Sequence, residues 1–114
     1  MQTFKILTSY KSIYKDPIVV IPGEIVKILE IEKEEKWKGW IKVESTSNTG
    51  WIPIQIIEFS DDGNTGKILE NYSAKELDVG QGDLIQKIYS LNGWSWSKKI
   101  IDNEEGWIPD EIIG

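Results

Sequence analysis

Short runs of β-branched and aromatic residues recur along the whole chain, and Gly, Pro, Asn or Asp bounds most of them. Apolar and polar positions alternate within these runs, as where Ile41 and Val43 alternate with Trp40 and Lys42. A period of two predicts half-buried β-strands. The window from Leu29 to Lys38 is charged nearly all round, so we expect a polar hairpin loop there rather than a helix. The pattern predicts an all-β protein.

The order of these runs occurs twice, and three blocks return at offsets that fall from 62 to 59 to 56 residues. They are Ile6–Ser12 with Ile68–Ala74, Gly23–Val26 with Gly82–Ile85, and Gly50–Pro53 with Gly106–Pro109. A drifting offset indicates duplicated small domains with loops of different length. The polar segment 60–66 contains two glycines and is typical of a linker. We therefore predict a first domain at 1–59, a linker at 60–66 and a second domain at 67–114.

Composition narrows the possible functions of these 114 residues. The chain has neither histidine nor cysteine, which excludes thiol nucleophiles, imidazole bases, disulfides and metal sites that need sulfur or imidazole ligands. The chain has 13 lysines and 19 acidic residues, which gives a net charge of −6. Residues 1–59 are balanced and residues 60–114 carry the whole excess. Because a net negative charge repels phosphate groups, we expect neither nucleic acid nor a membrane surface as partner.

Motifs for catalysis or cofactor binding are missing from the sequence. The string Gly63–Lys67 has only two residues between its glycines where a phosphate loop has four, and Ile68 follows where Ser or Thr is required. Asp61–Asn64 lacks the alternating ligands of a calcium loop. We therefore expect no enzyme activity, no cofactor and no metal. The sequence shows neither a signal peptide nor a long apolar span, which favours a cytoplasmic location.

In sequence order, the landmarks of both copies resemble those of the Src homology 3 (SH3) domain, and the resemblance covers nearly the whole chain. The second copy has the opening Ile68–Tyr72, then Glu76-Leu77, Gly82-Asp83, Trp94 and the closing Gly106–Pro109. The first copy is similar to the bacterial variant type, with Tyr10, Lys15–Pro17, Gly23-Glu24, Trp37–Trp40 and Gly50–Pro53. The resemblance implies two consecutive five-stranded SH3-like barrels.

In this family, aromatic residues form shallow slots for an extended, proline-rich peptide, and acidic residues beside them take a basic flank. For the second copy the resemblance implies a ligand-binding groove of Tyr72, Trp94 and Pro109, with Glu76 and Asp78 available to pair with Lys or Arg. For the first copy it implies Tyr10, Trp40 and Pro53, flanked by Trp37. Glu70, Ile112, Thr8 and Ile56 stand where the family has further tyrosines.

The tryptophans also have a purely structural interpretation. Any of the four second-loop tryptophans, at positions 37, 40, 94 and 96, could instead pack against the sister domain or cover its own barrel. Trp94 and Trp96 are two apart and must share one face of a strand. For Trp51 and Trp107, within the Gly-Trp-Ile-Pro blocks, strand packing is the favoured role.

The sequence thus predicts a non-catalytic module for protein–protein interaction that binds an extended peptide segment, basic in the case of the second domain. Two alternatives stay open. One is a module that binds a cell-wall peptide or glycan. The other is a small adaptor or inhibitory partner of the immunity-protein type, which would use a flat face in place of a groove. The sequence carries no signal for the oligomeric state.

Overall fold

A computed structural model of the chain describes residues 2–13, 16–35 and 38–114. These residues form eleven strands, all paired antiparallel, and no α-helix, so the protein is all-β as predicted. A 3-10 turn follows β5 at Ile54–Ile56, and another follows β11 at Asp110–Ile112. The strands are β1 (Thr3–Lys5), β2 (Val19–Val20), β3 (Ile25–Ile31), β4 (Trp40–Glu44), β5 (Thr49–Pro53), β6 (Ile57–Phe59), β7 (Thr65–Ile68), β8 (Tyr72–Ser73), β9 (Leu84–Leu91), β10 (Trp94–Lys99) and β11 (Glu105–Pro109).

The chain divides into two compact units whose limits differ from the expected 1–59 and 67–114. Unit 1 combines Met1–Lys15 with Lys75–Gly114, and unit 2 is Asp16–Ala74. We call residues 1–15 and 60–74 the opening segments of the two sequence copies, and residues 16–59 and 75–114 their bodies. Each unit therefore combines the opening segment of one copy with the body of the other. The cause is strand pairing, because β1 adds to β9 of the second copy and β7 adds to β3 of the first.

Both units have the same strand order. The sheet of unit 1 runs β1-β9-β10-β11, and that of unit 2 runs β6-β7-β3-β4-β5. In unit 1 an isolated bridge between Ile6 and Ile113 takes the place of the β6–β7 pairing. A two-stranded sheet of β2 and β8 completes unit 2. No sheet of the described strands closes into a barrel, so the predicted pair of five-stranded barrels is not confirmed.

The opening segments supply core residues to the units they join. Ile6 is fully buried in unit 1 with four residues of the second copy, Leu77, Val79, Ile85 and Ile108. In unit 2 the equivalent Ile68 is 1% exposed. Burying an isoleucine side chain contributes about 1.5 to 3 kcal/mol. Each opening segment is thus part of the hydrophobic core of its unit.

The segment predicted as a linker, 60–66, forms a tight turn and the start of a strand inside unit 2. Ser60 and Thr65 pair through their backbones, and Gly63 takes a φ of +74° that suits glycine. The Asp62 carboxylate accepts hydrogen bonds from the Asn64 backbone N–H and the Ser60 hydroxyl. These bonds favour the charged form and lower the pKa of Asp62. The glycines and polar residues of this segment therefore make a hairpin turn.

The side chains of β10 point alternately to the two faces of the sheet, as the spacing of its tryptophans predicts. Ser95 and Ser97 are fully buried, whereas Trp94 and Trp96 lie on the opposite, more exposed face. The Ser95 hydroxyl donates to Asp110 and is 2.6 Å from the Ser90 hydroxyl. Buried hydroxyls need such partners, since an unpaired one costs about 1 to 3 kcal/mol. The polar inner face of β10 is therefore compatible with folding, and the tryptophans remain on the outer face.

We expect Gly106→Ala to lower the free energy of unfolding by about 2 kcal/mol, because a methyl group there would overpack unit 1. Its Cβ would lie 2.9 Å from the backbone nitrogen of Leu77 and 3.1 Å from the carbonyl carbon of Glu76. Gly80→Ala is the matched control, because its Cβ would meet only Asp83, at an ordinary 3.6 Å. Denaturant titration of both variants checks the prediction, and equal midpoints would contradict it.

Candidate functional site

The residue that packs beside Trp94 is Tyr10, from the opening segment of the chain. The two rings meet edge to face, with centroids 6.1 Å apart and an interplanar angle of 78°. Tyr10 exchanges two backbone hydrogen bonds of 2.9 Å with Val79, which fixes its position in unit 1. Pro109 on β11 lies directly opposite Trp94 on β10. Tyr10, Trp94 and Pro109 thus belong to one unit, and we call this set the unit 1 groove.

Two predicted acidic residues adjoin the unit 1 groove and hold the opening segment. The Tyr10 hydroxyl donates to Glu76 Oε1 at 2.6 Å. The backbone N–H of Ser12 donates to Asp78 Oδ1 at 2.8 Å. One oxygen of each carboxylate therefore binds the opening segment, Glu76 at the Tyr10 hydroxyl and Asp78 at the Ser12 backbone.

Two further predicted aromatic residues, Tyr72 and Trp40, lie in unit 2. Tyr72 on β8 pairs with Val20, and Trp40 on β4 pairs with Pro53 on β5. The Tyr72 and Trp40 side chains are each only 9% exposed, and Pro53 is buried. Trp37 lies outside the described residues. Unit 2 therefore has the same types of residue as the unit 1 groove. Its tyrosine and tryptophan are buried where Tyr10 and Trp94 are partly exposed, and the proline is buried in both units.

The sequence grouped Tyr72 with Trp94 and Tyr10 with Trp40, and the structure exchanges the two tyrosines. Tyr10 joins Trp94, Pro109, Glu76 and Asp78, whereas Tyr72 joins Trp40 and Pro53 in the same unit. The exchange follows from the pairing of the opening segments, which carry each tyrosine into the unit of the other copy.

An aromatic cluster of unit 1 was missed as a group by the sequence analysis. Trp107 is 2% exposed, as strand packing requires, and its ring meets Trp96 and Tyr89 edge to face at 5.5 and 5.3 Å. Trp96 Nε1 donates to Glu105 Oε1 at 2.8 Å. Tyr89 lies directly opposite Trp96 on β9, and half of its side chain is exposed. The cross-strand register brings these three residues together, and that register could not be read from the sequence.

A shallow depression of about 400 Å³ lies along the opening segment of unit 1, between Ser9–Lys11 and Asp78–Gly80. Within the described parts of the chain, no three acidic residues come close enough to hold a metal ion. No helix there is long and apolar enough to cross a membrane. Of the predicted site residues, Tyr10 and Asp78 line this depression. A partly exposed aromatic ring beside a carboxylate suits non-covalent binding of an extended chain.

Comparison with known proteins identifies the family of the chain. The chain is similar to protein BZZ1 of Schizosaccharomyces pombe, with 26% identity over 121 aligned positions. That similarity covers 95% of this chain and 18% of BZZ1, so the chain spans less than a fifth of that relative's length. The sequence profile described as "Variant SH3 domain" matches residues 3–60, just over half of the chain. The chain therefore belongs to the variant SH3 domain family.

Proposed function

We propose that this protein is a non-catalytic interaction module in which the unit 1 groove binds an extended peptide segment of a partner protein. SH3 domains are in general modules for protein–protein interaction. The observation that carries the proposal is the edge-to-face pair of Tyr10 and Trp94, both of which keep exposed surface. Rigid rings give an extended peptide contact area at a small entropic cost.

Differences in exposure favour unit 1 as the binding unit. Trp94 and Tyr10 are partly exposed, whereas Trp40 and Tyr72 are buried. Because each of these two residues is only 9% exposed, their rings offer a ligand little surface. Unit 2 then has mainly a structural role, and its similarity in strand order supports a tandem origin in which one of the two SH3-like units has the peptide site.

Glu76 and Asp78 support a basic flank on the peptide. Both carboxylates lie beside the unit 1 groove, and each accepts a hydrogen bond from the opening segment at one of its oxygens. A Lys or Arg at the end of the peptide would gain charge-assisted hydrogen bonds there. Complementary charge also raises the rate of association and selects against acidic segments.

We expect Trp94→Ala to weaken binding of a peptide selected on this protein from a random phage-displayed library by at least about tenfold, as loss of a central aromatic contact does. Trp96→Ala is the control, on the same face of the same strand but two residues away. Isothermal titration of the folded variants measures both. Equal affinities for wild type and Trp94→Ala would contradict the proposal.

We expect Asp78→Asn to weaken binding of a peptide with a Lys or Arg flank and to reduce the salt dependence of its affinity. Asparagine keeps an oxygen acceptor for the Ser12 N–H and removes the charge. The same peptide with a neutral flank is the control, since its affinity should change little with the substitution or with salt. A neutral-flanked peptide that loses as much affinity would show that the charge of Asp78 plays no part in recognition.

A further inference from the structure

The opening segments of the two copies make equivalent ladders in opposite units. In unit 1 Thr3 pairs with Gln86, and Tyr10 with Val79. In unit 2 Thr65 pairs with Lys27, and Tyr72 with Val20. Tyr10 and Tyr72 therefore occupy the same position relative to Val79 and Val20. Either opening segment could, by register alone, pair with either body.

The second copy has too short a connection to pair with itself. In unit 2 the Ala74 N–H donates to the Ile18 carbonyl at 2.9 Å, and by register Leu77 is the equivalent of Ile18 in the second copy. Pairing Ala74 with Leu77 would leave only Lys75 and Glu76 to make the turn. Two-residue hairpin turns need positive φ at one or both positions, which Gly, Asn and Asp adopt and Lys and Glu rarely do. Short, strained hinges favour exchange of segments.

One residue difference makes the two opening segments unequal. The first segment begins Thr-Phe-Lys-Ile-Leu from Thr3, and the second begins Thr-Gly-Lys-Ile-Leu from Thr65. A Cβ on Gly66 would lie 2.4 Å from Ile57 Cδ1 and 2.5 Å from Cγ1, so a phenylalanine would fit there only if the Ile57 side chain moved. Phe4 instead packs against the core of unit 1, with Lys87 Nζ 5.0 Å from its ring centroid.

We propose that the two sequence copies build the peptide site jointly and within one chain: the first copy supplies Tyr10, the second supplies Trp94 and Pro109, and Gly66 with the short Lys75-Glu76 connection enforces the exchange. The proposal rests on the function proposed above for the role of the groove, although the exchange itself can be measured without a peptide. Neither copy then holds a complete groove alone, and the tyrosine of the binding site lies 84 residues before its tryptophan.

Engineered cysteines distinguish the two pairings, because the chain has none of its own. We expect Thr3→Cys with Gln86→Cys to form a disulfide within one chain, since directly opposed residues of an antiparallel pair have the Cα separation a disulfide needs. The control pair, Thr3→Cys with Lys27→Cys, bridges only if the first segment takes the place of Thr65. Peptide mapping after mild oxidation identifies the bond.

Three outcomes would overturn the exchange. One is a bridge from residue 3 to residue 27, which means that each copy pairs with itself. Another is the 3–86 bridge found only in covalent dimers, which means that the exchange occurs between two chains. The third is a folded 3–86 variant that forms no bridge. In the unmodified protein, nuclear Overhauser contacts of Tyr10 with Val79 are expected, and contacts of Tyr72 with Val79 would contradict the proposal.

The groove is tested separately in the chain with the 3–86 bridge. We expect Tyr10→Ala in this chain to keep the bridge and to lose at least about tenfold in affinity for the selected peptide. Tyr72→Phe is the control and should bind as the parent does. Peptide affinity that survives Tyr10→Ala but falls with Trp94→Ala would overturn the joint site and leave the proposed function standing. Affinity that survives both substitutions would overturn the proposed function, while the bridge still reports the exchange.

Discussion

The rest of this protein depends on two antiparallel ladders. Each ladder joins the opening segment of one sequence copy to the body of the other. They bring Ile6 and Ile68 into the two hydrophobic cores and place β1 and β7 in the sheets. They also carry Tyr10 to Trp94. Without the first ladder, unit 1 would lose a strand, a fully buried isoleucine and one wall of its groove together. Folding of the units and formation of the groove are therefore linked by the same backbone hydrogen bonds.

The exchange also changes how charge is distributed over the molecule. Read by sequence copy, residues 60–114 carry the entire net charge of −6 and residues 1–59 are balanced. When the charges are counted by compact unit, unit 2 has eleven acidic residues and six lysines. Unit 1 has eight acidic residues and seven lysines. The unit with the proposed peptide site is thus almost neutral as a whole. Any preference for a basic peptide must come from the position of Glu76 and Asp78, not from a long-range field of the unit.

Much of the fold could be predicted from local pattern, because alternation and turn residues act within a few positions. The all-β class, the buried alternation of Ile41 and Val43 and the shared face of Trp94 and Trp96 follow from a period of two. The partner of each strand could not be predicted in this way. Both copies offer nearly the same edge to the opening segments, so pairing depends on tertiary differences such as the space beside Ile57. The sequence therefore offered candidate residue types for a site but grouped Tyr72 with Trp94, where the structure has Tyr10.

An exchange inside one chain differs energetically from the same exchange between chains. Association of two molecules costs translational and rotational freedom, and its extent depends on concentration. A tethered segment has a high effective concentration near its acceptor, so the pairing here needs only the modest entropy of closing a loop. A small bias is then enough to select one pairing. Phe4 and Gly66 supply a steric difference, and the Lys75-Glu76 connection is too short to form a hairpin within the second copy. Duplication followed by small changes at a hinge and at one packed glycine can in this way convert two self-contained copies into units that depend on each other.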